Sequence, residues 1–286
     1  MIRIEGVRER PVGGFVLQID RLQLKPGLTL LVGVNGAGKT TLLELLATVS
    51  LPHKGEILYQ ERSALSDLPL VRSQIGYVPS EIELYENMTP TKLLLYLSEM
   101  KGVFHSERTG ELLRDFRLES YRNIKIKRLS GGVQRRVTLA QSLLAAPRFL
   151  FLDEPLNGMD TGERKLAITY LNRYAEGRTV IAAVHELSEW EEAADHVLWL
   201  DRGKVRFYGG RTSWLADLPY PLWEGNLTRE QFDRCPEAGL IEFRETSGGI
   251  YVKLVGQDPP FPGLRECAPT FEDAYFIRKY QLDSSI

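Results

Sequence analysis

The chain has 286 residues, of which 43% are hydrophobic and 26% are charged, and its formal net charge is −2 at pH 7. The length allows one large domain with a smaller one, and the composition is typical of a protein that buries a sizeable core. The near-neutral charge provides no basic field of the kind that attracts nucleic acid, so we expect no nucleic acid partner.

Membrane-spanning segments, a signal peptide and a cysteine-based site are all unexpected. No apolar run approaches the ~18 residues of a membrane span, and the N-terminus reads as a strand rather than as a signal peptide. The two cysteines, Cys235 and Cys267, lack metal-site spacing and are expected to be reduced thiols.

Residues 2–25 are predicted to form short strands. Ile2 and Ile4 alternate with polar residues, and so do Leu22 and Leu24. Alternation of this kind predicts antiparallel strands with one solvated face.

A glycine-rich stretch then follows the apolar run 28–32 and precedes a helical pattern over 41–48. Residues 33–40 read Gly-Val-Asn-Gly-Ala-Gly-Lys-Thr and fit the phosphate-binding pattern G-x-x-x-x-G-K-[ST]. Glycines let backbone N–H groups approach phosphate oxygens, and a helix N-terminus adds its positive dipole end. Lys39 is expected to reach the β- and γ-phosphates, and the Thr40 hydroxyl to ligate Mg²⁺. The nucleotide-binding residues predicted here are Gly33, Asn35, Gly36, Ala37, Gly38, Lys39, Thr40 and Thr41.

Two further strands are predicted over residues 55–59 and 74–78, and a mainly helical pattern follows them. Leucines at helical spacing predict helices over 90–100 and 107–116. We interpret residues from about 80 to 135 as a mainly helical insertion within an α/β core.

The stretch Leu-Ser-Gly-Gly at residues 129–132 opens another predicted helix. Ser130 is a suitable N-cap, and small residues at a helix N-terminus form an anion site. An ordinary capped helix has the same local features, so this stretch alone does not indicate a function.

A strand buried on both faces is predicted at residues 149–152, and it ends in Asp153 and Glu154. Asp153 is positioned to hold Mg²⁺ through water, and Glu154 to polarise an attacking water as a general base. A solvated acidic turn would look the same in isolation. The position after a phosphate-binding loop and a glycine-rich helix start favours the catalytic interpretation.

The pattern of helix and buried strand repeats once more. A helix is predicted over 161–174 and an apolar strand over 179–184, with His185 at the strand's C-terminal end. Strands near 197–201 and 204–208 complete this part of the chain.

The composition shifts after residue 211, where prolines accumulate. Strands are predicted over 240–244 and 251–254, and a last helix over 270–280. We therefore expect a nucleotide-binding domain over 1–211 and a small α+β domain over 212–286, in which we find no chemical motif.

Together, these motifs resemble those of the ATP-binding cassette family over roughly residues 1–210. Residues 33–40 match Walker A, 129–132 the signature motif, and 149–154 Walker B with its glutamate. Residues 156–160 resemble the D-loop, and His185 the switch histidine. The fold that this resemblance implies is an α/β P-loop NTPase core with an antiparallel β subdomain and a helical insertion.

The resemblance implies an ATPase that uses ATP and Mg²⁺, with Glu154, His185 and Lys39 as catalytic residues. Ser130, Gly131 and Gly132 would bind the nucleotide held by a second copy of the chain, so that ATP joins a homodimer. The chain would be cytoplasmic and would sit on the inner face of the cell membrane through a separate transmembrane permease subunit.

Two positions depart from the family's pattern. Ser80 stands where the family has a glutamine, so we expect Thr40, Asp153 and the shorter Ser80 as metal ligands. Pro11 stands near the position of the aromatic residue that stacks on adenine, which leaves Phe15 as the nearest candidate.

Residues 268–276 resemble a tail of exporter-type ATPase subunits, so export is the expected direction of transport. Two alternatives remain from the sequence. Instead of a transporter subunit, the chain could be a soluble ABC ATPase outside transport or a regulatory module that hydrolyses ATP weakly because of Ser80.

Overall fold

A computed structural model of the chain describes residues 1–10, 16–81, 83–103 and 106–284. It divides into two compact units, the first formed by residues 1–185 and 192–208 and the second by residues 186–191 and 209–286. The expected boundary after residue 211 lies three residues beyond this division, and the segment 186–191 of the second unit lies outside the expected range 212–286.

Ten strands of the described residues form the sheet on which the first unit is built. They are β1 (Ile2–Glu9), β2 (Leu17–Leu24), β3 (Gly27–Val32), β4 (Lys54–Tyr59), β5 (Arg62–Ser63), β6 (Ile75–Val78), β7 (Phe149–Asp153), β8 (Thr179–Ala183), β9 (His196–Asp201) and β10 (Lys204–Gly210). Their order is β5-β4-β1-β2-β10-β9-β3-β8-β7-β6.

The sheet has an antiparallel half and a parallel half. β1 pairs with β2 and β4 in antiparallel register, which confirms the prediction from alternating residues. β3 lies between β8 and β9 in parallel register, and β7 lies between β6 and β8. Every residue of β7 and β8 is buried, as the continuous apolar runs predict for strands covered on both faces.

The first unit contains helices α1 (Lys39–Leu46), α2 (Leu68–Ser73), α3 (Pro90–Met100), α4 (Ser106–Asp115), α5 (Gly131–Ser142) and α6 (Thr161–Ala175). Of these, α3 and α4 are the helices predicted from leucine spacing. Thr89 caps α3 by accepting a hydrogen bond from the Lys92 N–H, and Pro90 occupies the first helical turn, where its missing N–H costs nothing. Each of α1, α5 and α6 begins next to a motif of the predicted site.

The second unit carries an antiparallel sheet and helices, so the predicted α+β class is confirmed. Its elements are α7 (Arg211–Leu215), β11 (Leu222–Leu227), α8 (Arg229–Asp233), β12 (Leu240–Thr246), β13 (Gly249–Val255), β14 (Arg265–Cys267) and α9 (Phe271–Ser284). The four strands lie in the order β12-β13-β11-β14 among the described residues. Strands β11 and β14 and the short helices α2, α7 and α8 were not predicted from the sequence.

Two buried interactions hold the second unit together. The fully buried indole of Trp214 donates a hydrogen bond of 2.9 Å to the carbonyl of Phe271. Lys253 Nζ lies 2.8 Å from Asp273 Oδ2 in an ion pair whose side chains are 14% and 6% exposed. Among the helices that the structure describes, none has both the length and the apolar character needed to cross a bilayer.

Candidate functional site

The phosphate-binding motif lies between β3 and α1, as its sequence predicts. Gly38 caps α1 with a φ of 104°, a backbone conformation that residues with a Cβ rarely adopt. At Gly33 a Cβ would lie 2.2 Å from the carbonyl oxygen of Leu200, so only glycine fits at this position of the loop. The glycines thus shape a tight turn of main chain at the N-terminus of a helix, which is a cradle for phosphate oxygens.

Lys39 is the first residue of α1 and is held against this loop. Its Nζ donates hydrogen bonds to the carbonyl of Gly33 at 2.7 Å and to that of Val34 at 3.3 Å. Burial lowers the pKa of Lys39, and the carboxylates of Asp153 and Glu154 act against that shift. The ammonium group therefore lies beside the cradle and near both acidic residues.

Thr40 and Asp153 meet across the end of the parallel sheet. The Thr40 hydroxyl donates a hydrogen bond of 2.7 Å to Asp153 Oδ2, although 113 residues separate the two in sequence. Asp153 ends β7 and is 2% exposed. Burial raises the pKa of Asp153, while the hydrogen bond from Thr40 and the charge of Lys39 act to lower it.

Glu154 is held by two side chains. His185 Nε2 lies 2.5 Å from Glu154 Oε1, and the Asn157 amide donates a short hydrogen bond to Oε2. Burial acts to raise the pKa of Glu154, but the hydrogen bonds with His185 and Asn157 outweigh it, so the pKa is below its ordinary value. The group is therefore a carboxylate at neutral pH, ready to accept a hydrogen bond.

Parallel strand pairing explains why these residues converge. Asp153 is paired in register with Ala183, and Leu31 of β3 is paired with the same residue from the other side. The carboxyl ends of the three strands therefore meet at one edge of the sheet, where ligands bind in proteins of this architecture.

The stretch 129–132 begins α5, as predicted. Ser130 is the N-cap, and its hydroxyl accepts a hydrogen bond from the Val133 N–H. A Cβ on Gly132 would lie 2.4 Å from Glu163 Oε2 and 2.8 Å from the carbonyl of Gly158, whereas Gly131 has open space around it. These contacts do not involve the P-loop, so within one chain the starts of α1 and α5 have different neighbours.

Arg135, one turn into α5, is 2% exposed, and its guanidinium points at main-chain carbonyls. It donates to Pro155 from Nε, to Pro79 and Ser80 from Nη1, and to Asp153 and Glu154 from Nη2. Burial lowers the pKa of Arg135 to about 10, and the charges of Asp153 and Glu154 act in the opposite direction.

The remaining predicted residues lie less centrally. Ser80 is exposed, and its carbonyl accepts the bond from Arg135 at 3.2 Å. Thr41 lies in the first turn of α1, and Asn35 is exposed in the preceding loop. Phe15, the candidate for adenine stacking, lies outside the described residues.

Two contributors to this site, Arg135 and the side chain of Asn157, were not predicted from the sequence. An arginine within a helix ordinarily indicates a solvated face, so no signal in the sequence marked Arg135 as buried. Asn157 carried a weak signal, because it follows Glu154 by three residues in the stretch that resembles a D-loop.

Known proteins resemble the chain in sequence and in fold. Residues 17–157 match the ABC transporter family. The chain is 32% identical over 251 residues to rat (Rattus norvegicus) ATP-binding cassette sub-family A member 17, an alignment that covers 87% of this chain and 14% of that protein. It is 27% identical over 261 residues to the uncharacterized ABC transporter ATP-binding protein YhaQ of Bacillus subtilis (strain 168), covering 88% of this chain and 84% of that protein.

The fold is similar to that of solved ATP-binding cassettes. One is the dimeric cassette MJ0796 in a post-hydrolysis state bound to ADP and Pi. It superposes with a TM-score of 0.64 at 23% sequence identity, covering 74% of this chain and 99% of that one. The family match, the relatives and the shared fold agree with the motifs: the chain belongs to the ABC transporter family, as an ATP-binding cassette with an ATPase domain.

Proposed function

We propose that the chain is the ATP-hydrolysing subunit of an exporter, that ATP joins two copies of it, and that a separate membrane protein carries the cargo. The observation that carries the hydrolytic part of this proposal is that Lys39, the Thr40–Asp153 pair and the Glu154–His185 pair lie at one edge of the sheet. A positive group, a pair of oxygen ligands and a carboxylate are the parts that phosphoryl transfer to water needs.

The nucleotide's phosphates bind in the cradle of residues 33–38. Main-chain N–H groups of the loop and of the first turn of α1 donate to phosphate oxygens. Lys39 exchanges its bonds with the carbonyls of Gly33 and Val34 for the β- and γ-phosphates, since a phosphate is a stronger acceptor than a carbonyl.

Thr40 and Asp153 fit the requirements of a magnesium site. A hydroxyl and a carboxylate oxygen lie 2.7 Å apart, and Mg²⁺ is commonly held by one or two carboxylates together with substrate phosphates. Thr40 and Asp153 supply two protein oxygens, and the phosphates of the nucleotide would supply further ligands. When bound, Mg²⁺ supplies charge neutralisation at the β- and γ-phosphates, and Ser80 is the proposed additional ligand.

Glu154 orients the attacking water. Its lowered pKa keeps it ionised, so it acts by accepting a hydrogen bond from the water and by receiving a proton as the new bond to phosphorus forms. Each carboxylate oxygen accepts one hydrogen bond, from His185 at Oε1 and from Asn157 at Oε2, and each has a further lone pair that can accept a bond from the water. His185, 47% exposed, then contacts the γ-phosphate, whose presence it senses.

A second copy of the chain completes each site. Ser130 and the N–H groups of Gly131 and Gly132 form an anion site at the start of α5, away from the P-loop of the same chain. In a two-fold head-to-tail dimer this helix start covers the γ-phosphate held by the partner, which gives two equivalent sites. Hydrolysis removes the shared phosphate and releases the two copies.

Export and a position at the inner face of the membrane are the finer parts of the proposal. Their support is the resemblance of residues 268–276 to exporter-type subunits. The helical insertion that contains α3 and α4 is the proposed contact with the membrane subunit, and Tyr85 exposes 53% of its surface there. Ile82, the neighbouring apolar candidate, lies outside the described residues.

The Glu154→Gln variant tests the hydrolytic part. It keeps the size of the side chain but removes its charge, so it should bind ATP, barely hydrolyse it and accumulate as an ATP-bound dimer. The measurements are phosphate release and size-exclusion chromatography with and without Mg-ATP. Hydrolysis at the parent rate would refute the role given to Glu154. Weak hydrolysis by the parent chain itself would favour the regulatory module.

Capture of the tagged chain from its native membranes in mild detergent tests the partner. A stoichiometric protein with several membrane spans supports the transporter. A purely soluble partner set, or no captured partner from a chain that dimerises on ATP by itself, supports the soluble ATPase instead.

A further inference from the structure

Arg135 joins two segments that carry the proposed site. The Pro79–Ser80 segment follows β6 and the 153–155 segment follows β7, and Arg135 reaches both from α5. Its Nη1 lies 2.9 Å from the Pro79 carbonyl and 3.2 Å from the Ser80 carbonyl. Its Nη2 lies 2.5 Å from the carbonyls of both Asp153 and Glu154, and its Nε lies 3.2 Å from that of Pro155.

All five N–H donors of the guanidinium have an acceptor in this arrangement, because Nε has one and each Nη has two. These acceptors are main-chain carbonyls, so Arg135 fixes the path of the backbone rather than a neighbouring side chain. Its side chain is also 2% exposed, which leaves little room for it to adopt another rotamer.

The backbone of Glu154 needs such support. Its φ is 49°, in the left-handed region that non-glycine residues enter only at a cost in free energy. The Glu154 N–H is bonded to the carbonyl of Ala183 and the Glu154 carbonyl to Arg135, so both sides of the residue are anchored. This conformation directs the carboxylate towards His185.

We infer that Arg135 is a positioning residue for hydrolysis, which holds Glu154 in its left-handed conformation and ties the Ser80 segment to the end of β7. Arg135 bonds only to main-chain carbonyls and to none of the side chains proposed to contact the nucleotide. It therefore acts through the positions of Glu154 and Ser80. Ser80 is short, and its own side chain is not what holds the segment, because the bond to Arg135 is made by its carbonyl.

This inference rests on the proposed function, and its test separates the two. Arg135→Gln keeps a polar side chain that is too short to bridge both segments, and Arg135→Lys keeps the charge without the fork of donors. A matched control is Arg278→Gln in the second unit, since Arg278 also donates to main-chain carbonyls, those of Ser213, Trp214 and Ala216.

We expect Arg135→Gln to lower kcat at least ~30-fold, because small displacements of a catalytic group cost up to ~10²-fold. The Kd for ATP, measured without hydrolysis, should stay within about threefold of the parent value, since the P-loop is untouched. Arg135→Lys should lie between the two, and Arg278→Gln should keep the parent kcat. In a Glu154→Gln background, Arg135→Gln should lower kcat no further.

An unchanged kcat would overturn the inference. So would a parallel loss of kcat, ATP affinity and thermal stability, since that pattern indicates a purely structural residue. If Arg135→Gln does not fold, the same criteria applied to Arg135→Lys decide. A parent chain whose phosphate release is unaffected by Glu154→Gln would instead refute the proposed function, whatever the Arg135 variants do.

Discussion

Glu154 and His185 are joined side chain to side chain, with 2.5 Å between Oε1 and Nε2, although 31 residues separate them in sequence. Their strands, β7 and β8, are neighbours in parallel register, so the two residues leave the same edge of the sheet. Strand pairing therefore positions the two side chains before the nucleotide binds. Little further conformational entropy is lost in ordering them on binding.

Removal of His185 should slow hydrolysis without preventing ATP binding. In His185→Ala, Glu154 loses a hydrogen bond and the γ-phosphate loses a donor, and we expect kcat to fall ~10²-fold, as for the loss of other transition-state donors. His53→Ala is the control, because His53 is exposed and its side chain has no role in the site. Parent-like kcat in His185→Ala would contradict the assignment of His185.

Ser80→Gln tests the departure from the family's pattern. The Ser80 carbonyl, and not its hydroxyl, is bonded to Arg135, so a longer side chain leaves that bond intact. If serine is only a weaker ligand, phosphate release should be kept or raised. A collapse of turnover would mean that the site has been rebuilt around serine, and a Mg²⁺ titration of turnover would show whether metal affinity has changed with it.

Asp153→Asn should weaken the binding of Mg²⁺, and not only the binding of the nucleotide. The variant keeps an oxygen near Thr40 but loses the negative charge, and we expect Mg²⁺ affinity to fall at least ~10-fold, the lower end of what even outer-shell changes cost. The measurement is nucleotide binding as a function of Mg²⁺ concentration, with added chelator as the metal-free reference. Asp20→Asn, at an exposed ion pair with Arg8, is the control. Identical Mg²⁺ dependence in the parent chain and Asp153→Asn would exclude Asp153 as a ligand.

The second unit should lose stability in acid through Asp273. Burial acts to raise the pKa of Asp273, but the bonds from Lys253 and from Thr270 outweigh it and lower the pKa. The unfolded chain therefore binds the proton first, so this contribution to the free energy of unfolding is complete above about pH 4 and is lost as the pH falls through the folded pKa.

Asp273→Asn should cost ~3 kcal/mol at neutral pH, because it leaves the largely buried Lys253 ammonium without its counter-charge. Its stability should change less than the parent's between neutral and acid pH. Thermal unfolding followed across a pH series measures both effects. Parallel pH curves for the two proteins would show that the Lys253–Asp273 pair contributes nothing.

Much of the fold follows from the sequence because its signals are local. Continuous apolar runs predicted β7 and β8, and alternation predicted the antiparallel half of the sheet. β11 was missed because its only fully buried residues, Leu222 and Leu227, stand at its two ends, so it shows neither pattern. Helices α7 and α8 have five residues each, too few to establish a helical period.

Some residues of the candidate site could be predicted from the sequence and others could not. Lys39, Thr40, Asp153 and Glu154 belong to motifs whose chemistry requires those residue types. Arg135 was not predictable, because its role depends on carbonyls that lie 18 to 56 residues away and that any residue could supply. What decides its role is the path of the main chain, and side-chain identities do not encode that path directly.

The six residues 186–191 join the second unit, and they begin immediately after His185. A chain cut after residue 208 would therefore not be a clean deletion, since residues 186–191 would remain without the rest of their unit and Glu191 would lose its ion pair with Arg211. By the same connectivity, the cooperative unfolding of residues 209–286 releases the stretch next to His185. Amide hydrogen exchange at residues 186–191 should then follow the opening of the C-terminal unit rather than that of the sheet that holds the P-loop.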